Sequence, residues 1–181
     1  EERDCIRKLD TPSNYGINIT EQLYNVALEL TITWINRILF IKLLEAQLFK
    51  YHHKHEEYKF LNSTLIHDYN DLNTLFFQVL AERKATRRSH LIEKFKKVPY
   101  LNSTLFERTD LEIRTFDISS LSNSELLSLL PTTVLKDNRG SKKTGQLPPL
   151  QYLFEFLDSY DFTSEGSEEI QEENKNLINA S

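Results

Sequence analysis

Cysteine occurs once, at Cys5, and methionine not at all. A lone cysteine cannot close an intramolecular disulfide, so nothing points to an oxidising compartment. Glycine is limited to four residues and proline to five, too few for the dense turns of a sandwich or barrel, which favours long helices. Long apolar runs are missing as well: the longest, around Ile38 to Leu44, is interrupted by Lys42 and is far too short to span a bilayer. Sequons begin at Asn18, Asn62, Asn102 and Asn179, but no signal-peptide pattern accompanies them. They read as turns and helix caps, and the expected location is cytoplasmic, with no membrane partner.

What is present suits a folded domain. Hydrophobic residues make up 39% of 181 and aromatics 11%, ample for a core. The net charge of -5 is mild; its distribution says more. The chain starts at Glu1 and its last segment still reads as helix at Ser181, so a piece of a longer polypeptide is expected.

Periodicity predicts a mainly α, irregular helical bundle with a long central helix and at most a short β element near 111–118. Residues 1–19, with Pro12 and Gly16, read as a linker leading in. From a start at Thr20, Leu23, Val26, Ala27, Leu30, Trp34, Ile38, Ile41, Leu44 and Leu48 recur at spacings of three and four. Asp68 or Asn70 should cap a helix that buries Leu72, Leu75, Phe76, Val79 and Leu80. Another should run from Ser89 to Lys97 and stop before Pro99, leaving 98–106 as an apolar loop against the bundle. Leu111 to Ile118 alternates like a strand, and Asn123 to Leu130 reads as a short helix. A mobile basic loop is expected over 136–149, a helix through Tyr152–Leu157, and an acidic helical tail over 163–181. The 20–162 segment is thus the helical domain proper.

The sharpest charge feature is Arg83, Lys84, Arg87, Arg88, Lys94, Lys96 and Lys97, with Glu93 the one acid among them. Such a series neutralises phosphates and displaces counterions, or is simply a solvated face. Lys136, Arg139, Lys142 and Lys143 form a second basic set. Acids dominate Glu155, Asp158, Asp161, Glu165, Glu168, Glu169, Glu172 and Glu173, a pattern that favours a helix start. His52, His53, His55 and Glu56 lack a second Cys/His pair at zinc-like spacing and read as a solvated helix end. Glu57-Tyr58-Lys59 matches half of a nuclease core, and Glu173-Asn174-Lys175 matches it equally by accident. Leu147-Pro148-Pro149-Leu150 lacks the Asn and the aromatic with which adenine methyltransferases hold a flipped base. No glycine spacing fits a dinucleotide or S-adenosylmethionine loop.

Five blocks, in order, carry a resemblance: Asn36–Glu45; Tyr69–Asn73 with Leu75–Phe77; Val98–Asn102 through Leu105–Glu107; Leu130–Leu135; and Tyr152–Asp158 with Tyr160–Phe162. Together they resemble the helical region that precedes the methyltransferase domain in single-chain restriction–modification enzymes of type IIG. The likeness spans roughly 20–181. Where that family's loop usually carries glycines, Ser103 and Thr104 stand here, which puts identical loop geometry in doubt. The resemblance implies a non-catalytic scaffold, with the 163–181 tail leading to a C-terminal adenine-N6 methyltransferase domain and a nuclease domain lying upstream. It implies S-adenosylmethionine and Mg2+ for the larger enzyme, none in this piece, and double-stranded DNA as partner. The alternative is a self-standing helical protein–protein interaction module.

Overall fold

The computed structural model describes residues 2–162 and the pair 175–176. A short helix, α1 (Glu2–Arg7), and a 3-10 turn over Pro12–Tyr15 lead into α2 (Ile19–Tyr51), which runs for 33 residues. The first nineteen residues are therefore more than a linker, since Cys5 and Ile6 are buried in the common core. Helix α2 starts one residue earlier than Thr20. The Asn18 Oδ1 accepts the Glu21 amide at 3.0 Å, which satisfies one orphan donor of the first turn, and the Glu21 carboxylate accepts the amide of Ile17, ahead of the cap, at 2.8 Å. Gly16 sits at φ 146°, where a Cβ would lie 2.6 Å from the Glu21 Cβ; the cap needs glycine there. At the far end His53 and Lys54 take left-handed φ of 56° and 62°, and the Lys54 amide closes on the Phe49 carbonyl at 2.8 Å.

Asp68 caps α3 (Tyr69–Thr74), accepting the Asp71 amide at 2.9 Å. The helix then widens into a π-turn over Leu75–Leu80, burying Leu75, Phe76, Val79 and Leu80. Helix α4 (Ser89–Lys94) ends earlier than Lys97. The loop after it is pinned to the bundle: the Leu101 amide donates to the Leu80 carbonyl at 2.8 Å, and Val98 and Phe106 are buried.

The strand expected over 111–118 is instead α5 (Asp110–Arg114) followed by a 3-10 turn over Ile118–Ser120. A reciprocal cap decides it: the Glu112 amide donates to the Thr109 hydroxyl at 3.2 Å, and the Thr109 amide donates to the Glu112 carboxylate at 2.8 Å. The apparent alternation fails in space as well, because Glu112 points in and Ile113 points out.

Asn123 to Leu130 is not a helix. Ser122 accepts the Ser124 amide at 3.2 Å, and Asn123 bridges the His67 carbonyl and the Leu150 amide, offering the backbone partners that compete with helix. Instead β1 (Leu127–Ser128) pairs antiparallel with β2 (Gln146–Leu147), Leu127 opposite Leu147. The 136–149 stretch holds more structure than a loop: Asp137 accepts the amides of Arg139 and Ser141, and Lys136 bridges to Lys142. Helix α6 (Pro149–Asp158) follows, with proline in its first turn, and buries Leu150, Phe154 and Leu157. Then β3 (Tyr160–Asp161) pairs parallel with β4 (Lys175–Asn176). The rest of the expected acidic tail, including Glu165, Glu168, Glu169, Glu172 and Glu173, lies outside the described residues. The chain is mainly α, built around one long helix.

Candidate nucleic-acid interface

The charges of the chain fall into two environments. The first is enclosed. Arg37, on the inner face of α2, is 1% exposed and contacts both oxygens of Glu112 at 2.5 and 2.9 Å. Its remaining donors reach the Leu105 carbonyl at 2.6 Å and the Glu107 carbonyl at 2.7 Å, and the guanidinium lies 5.0 Å from the Phe77 ring centre. Trp34 adds an indole N–H to Glu112 at 2.8 Å. Burial alone would raise the Glu112 carboxyl, but Arg37, the Thr109 amide and Trp34 together hold it below its ordinary value.

One turn further, Lys42 bonds Glu45 at 2.7 Å and also Asp158 of α6, while Glu45 accepts the Leu61 amide at 2.6 Å. Burial alone would lower the Lys42 ammonium, yet the two carboxylates raise it overall. At Glu45 burial wins over the pairing, and the carboxyl lies above its usual value. No buried side-chain nitrogen or oxygen among the described residues lacks a partner, so the groups of this network answer one another. It holds elements together.

The second environment is the basic 83–97 segment, and the structure divides it. Arg87 does not face solvent. It is 5% exposed, and its guanidinium donates to the carbonyls of Glu82, Val98 and Pro99 at 3.0, 3.1 and 3.0 Å. It staples the turn before α4 to the loop after it. Lys94 pairs with Asp71 at 2.5 Å, and Lys97 with Glu57 at 2.7 Å. Hydrogen bonds from Lys94 and His67 lower Asp71 against the raising effect of its burial, and the bond from Lys97 lowers Glu57. Lys84 donates to the Lys96 carbonyl at 3.0 Å, and Arg83 lies 5.8 Å from the Tyr100 ring centre. Arg88 and the Lys96 side chain are exposed.

Lys94, Lys96 and Lys97 meet a fourth lysine, Lys59, around a cleft of about 480 Å³, whose lining also includes Asn62, Thr64, Phe60 and Phe95. Two acids, Glu56 and Glu57, share that lining. Cations carried by two distant segments are thus gathered with polar hydrogen-bonding groups at one surface, an arrangement suited to a phosphate backbone. Sequence reasoning missed Lys59 because Glu57-Tyr58-Lys59 invited comparison only with a nuclease strand. Glu56–Tyr58 is a 3-10 turn, and Lys59 pairs with Glu56 at 3.1 Å. Nothing in the local pattern signals that 56–65 and 94–98 adjoin.

In the second basic set Lys142 donates to the Pro131 carbonyl at 2.9 Å and Lys143 pairs with Glu155 at 2.6 Å, while Lys136 and Arg139 are exposed. The set is separate from the cleft lining. His52 stacks on Tyr58 with ring centres 3.9 Å apart. Among the described residues no group of three or more His, Cys, Asp or Glu side chains is placed to hold a metal ion. None of their helices is long and apolar enough to cross a membrane.

Comparison with curated proteins gives no match, and neither does comparison with solved structures. One family model, described as Domain of unknown function (DUF7814), matches residues 1–178. With nearly the whole chain covered, the protein belongs to the DUF7814 family.

Proposed function

We propose that this chain is a non-catalytic helical connector of a type IIG restriction–modification enzyme, cytoplasmic, and that it holds DNA by the phosphate backbone. The observation that carries the reading is where four of the five resembling blocks meet. Arg37 and Lys42, both in the first block, join the second through Phe76 and Phe77, the third through the Leu105 and Glu107 carbonyls, and the last through Asp158. An ordered series of motifs that converges on a satisfied ionic framework is what a rigid spacer between catalytic modules requires; a flexible linker would not fix their separation. In this reading S-adenosylmethionine and Mg2+ belong to the methyltransferase and nuclease domains of the larger enzyme. The DNA surface comprises Lys59, Lys94, Lys96 and Lys97 with Arg83, Lys84 and Arg88. Lys136, Arg139, Lys142 and Lys143 form a separate contact.

Two measurements test it. Fluorescence anisotropy of the 181-residue chain with duplex DNA should show binding at low salt that weakens as salt rises. Lys59→Glu with Lys96→Glu should weaken it at least tenfold, and an unchanged affinity would remove the cleft from the account. The family reading requires an Asn-Pro-Pro-aromatic motif encoded beyond Ser181 and adenine-N6 methylation by the full polypeptide; absence of both overturns it. A second reading, the protein–protein interaction module, draws its support from the outer face of α2, where large apolar side chains meet solvent.

A further inference from the structure

The outward face of α2 carries a pattern with a direction. At 100° per residue, Glu21, Leu28, Ile32, Leu39, Leu43 and Lys50 fall within an arc of about 60°. Leu28, Ile32 and Leu43 are 43%, 52% and 37% exposed, flanked by Tyr24 at 66% and Ile35 at 44%, while Leu39 is half-buried at the edge of the core. These residues are also arranged symmetrically about the midpoint between Ile35 and Asn36. Leu28 mirrors Leu43, Ile32 mirrors Leu39, and the acid Glu21 mirrors the base Lys50.

We infer that α2 pairs antiparallel with α2 of a second copy of this chain, about a two-fold axis passing between Ile35 and Asn36. Under that operation Leu28 meets Leu43, Ile32 meets Leu39, Asn25 faces Ala46, and Glu21 of each copy lies beside Lys50 of the other. A parallel pairing would set Glu21 against Glu21 and Lys50 against Lys50, so the charge pattern selects the antiparallel sense. A two-fold contact is self-complementary by construction, which is the property this face has. The capping role of Glu21 is compatible: its Oε2 accepts the Ile17 amide at 2.8 Å, leaving lone pairs on both carboxylate oxygens.

The apolar run from Tyr24 to Leu43 spans about 28 Å along the helix. Six side chains over that length fall short of the ~800 Å² per partner of a standard interface. The dimer is accordingly weak and reversible, dissociating in the micromolar range. It does not depend on the DNA contact: the cleft is lined by 56–65 and 94–98, and no residue of the α2 arc is among them.

Analytical ultracentrifugation of the 181-residue chain should show monomer and dimer exchanging with concentration across the micromolar range. Leu28→Glu and Ile32→Glu, both at exposed positions, should weaken the dimer at least tenfold with unchanged circular dichroism. Oxidative cross-linking fixes the register without relying on those variants, because the one native cysteine, Cys5, is buried. Ile35→Cys alone should link to its own copy, and Leu28→Cys should link efficiently only when mixed with Leu43→Cys. A chain that stays monomeric at the highest concentrations overturns the inference. So does Leu28→Cys linking readily to itself, since that outcome requires the parallel sense.

Discussion

Arg37 and Arg87 are both nearly fully buried arginines, and they differ in what answers the charge. Arg37 faces a buried carboxylate and ties α2 to α5 and to the loop between α4 and α5. Arg87 has three backbone carbonyls, and its burial lowers its pKa against a smaller raising effect from Glu82. The first organises the whole bundle and the second a single turn. A basic residue in sequence therefore carries no message until its partners are known: of seven cations read as one phosphate-binding stripe, one is a core staple.

Removing the answering charge separates the two most strongly. Arg37→Met leaves the Glu112 carboxylate buried with only Trp34 and Thr109, and should cost about 3–5 kcal/mol in urea unfolding. Adding Glu112→Leu should recover most of that loss, because the pair together is worth far less than half of it alone. Arg87→Ala orphans carbonyls but strands no ion, so about 1–3 kcal/mol is expected. If Arg87→Ala proves the costlier change, the ranking of the two sites is wrong.

Acid sharpens the same contrast. Glu112 is held below its unfolded value, so the stability it contributes is present above the unfolded pKa and is lost as pH falls through the folded one. Asp71 acts in the same direction. Chemical denaturation as a function of pH should give a shallower acid limb for Glu112→Gln than for the parent chain. Least affected should be Arg88→Ala, at an exposed neighbour of Arg87, which should stay within about 0.5 kcal/mol of the parent.

How much of this was legible in the sequence follows from the range of the forces involved. The three-and-four spacing of Leu23 to Leu48 predicts α2 because helix periodicity is local, and the Asp68 cap and the burial of Leu72 to Leu80 follow from the same patterns. Leu111 to Ile118 misleads because its alternation is real but is overridden by the Thr109–Glu112 cap and by Arg37, which draws Glu112 inward across 75 positions. Asn123 to Leu130 misleads because short polar side chains there bond backbone groups at His67 and Leu150. Within the candidate site, Lys94, Lys96 and Lys97 are visible as a charge run, whereas Lys59 joins them only through tertiary contact. The segments Leu61–Leu65 and Leu101–Leu105 share the sequence Leu-Asn-Ser-Thr-Leu yet diverge in structure. At the first, Asn62 turns the chain by accepting the amides of Thr64 and Leu65. At the second, Ser103 caps the turn by accepting the Leu105 amide.

The central claim is that α2 and its ionic partners form one frame that does not open piecemeal. Native-state hydrogen exchange reads this directly at the Leu61 and Thr109 amides, whose acceptors are the buried carboxylates of Glu45 and Glu112. Both should exchange only through global unfolding, with the same free energy as the slowest core amides of α2 and the same denaturant dependence. Exchange of either amide through a local opening of much lower free energy would contradict the account.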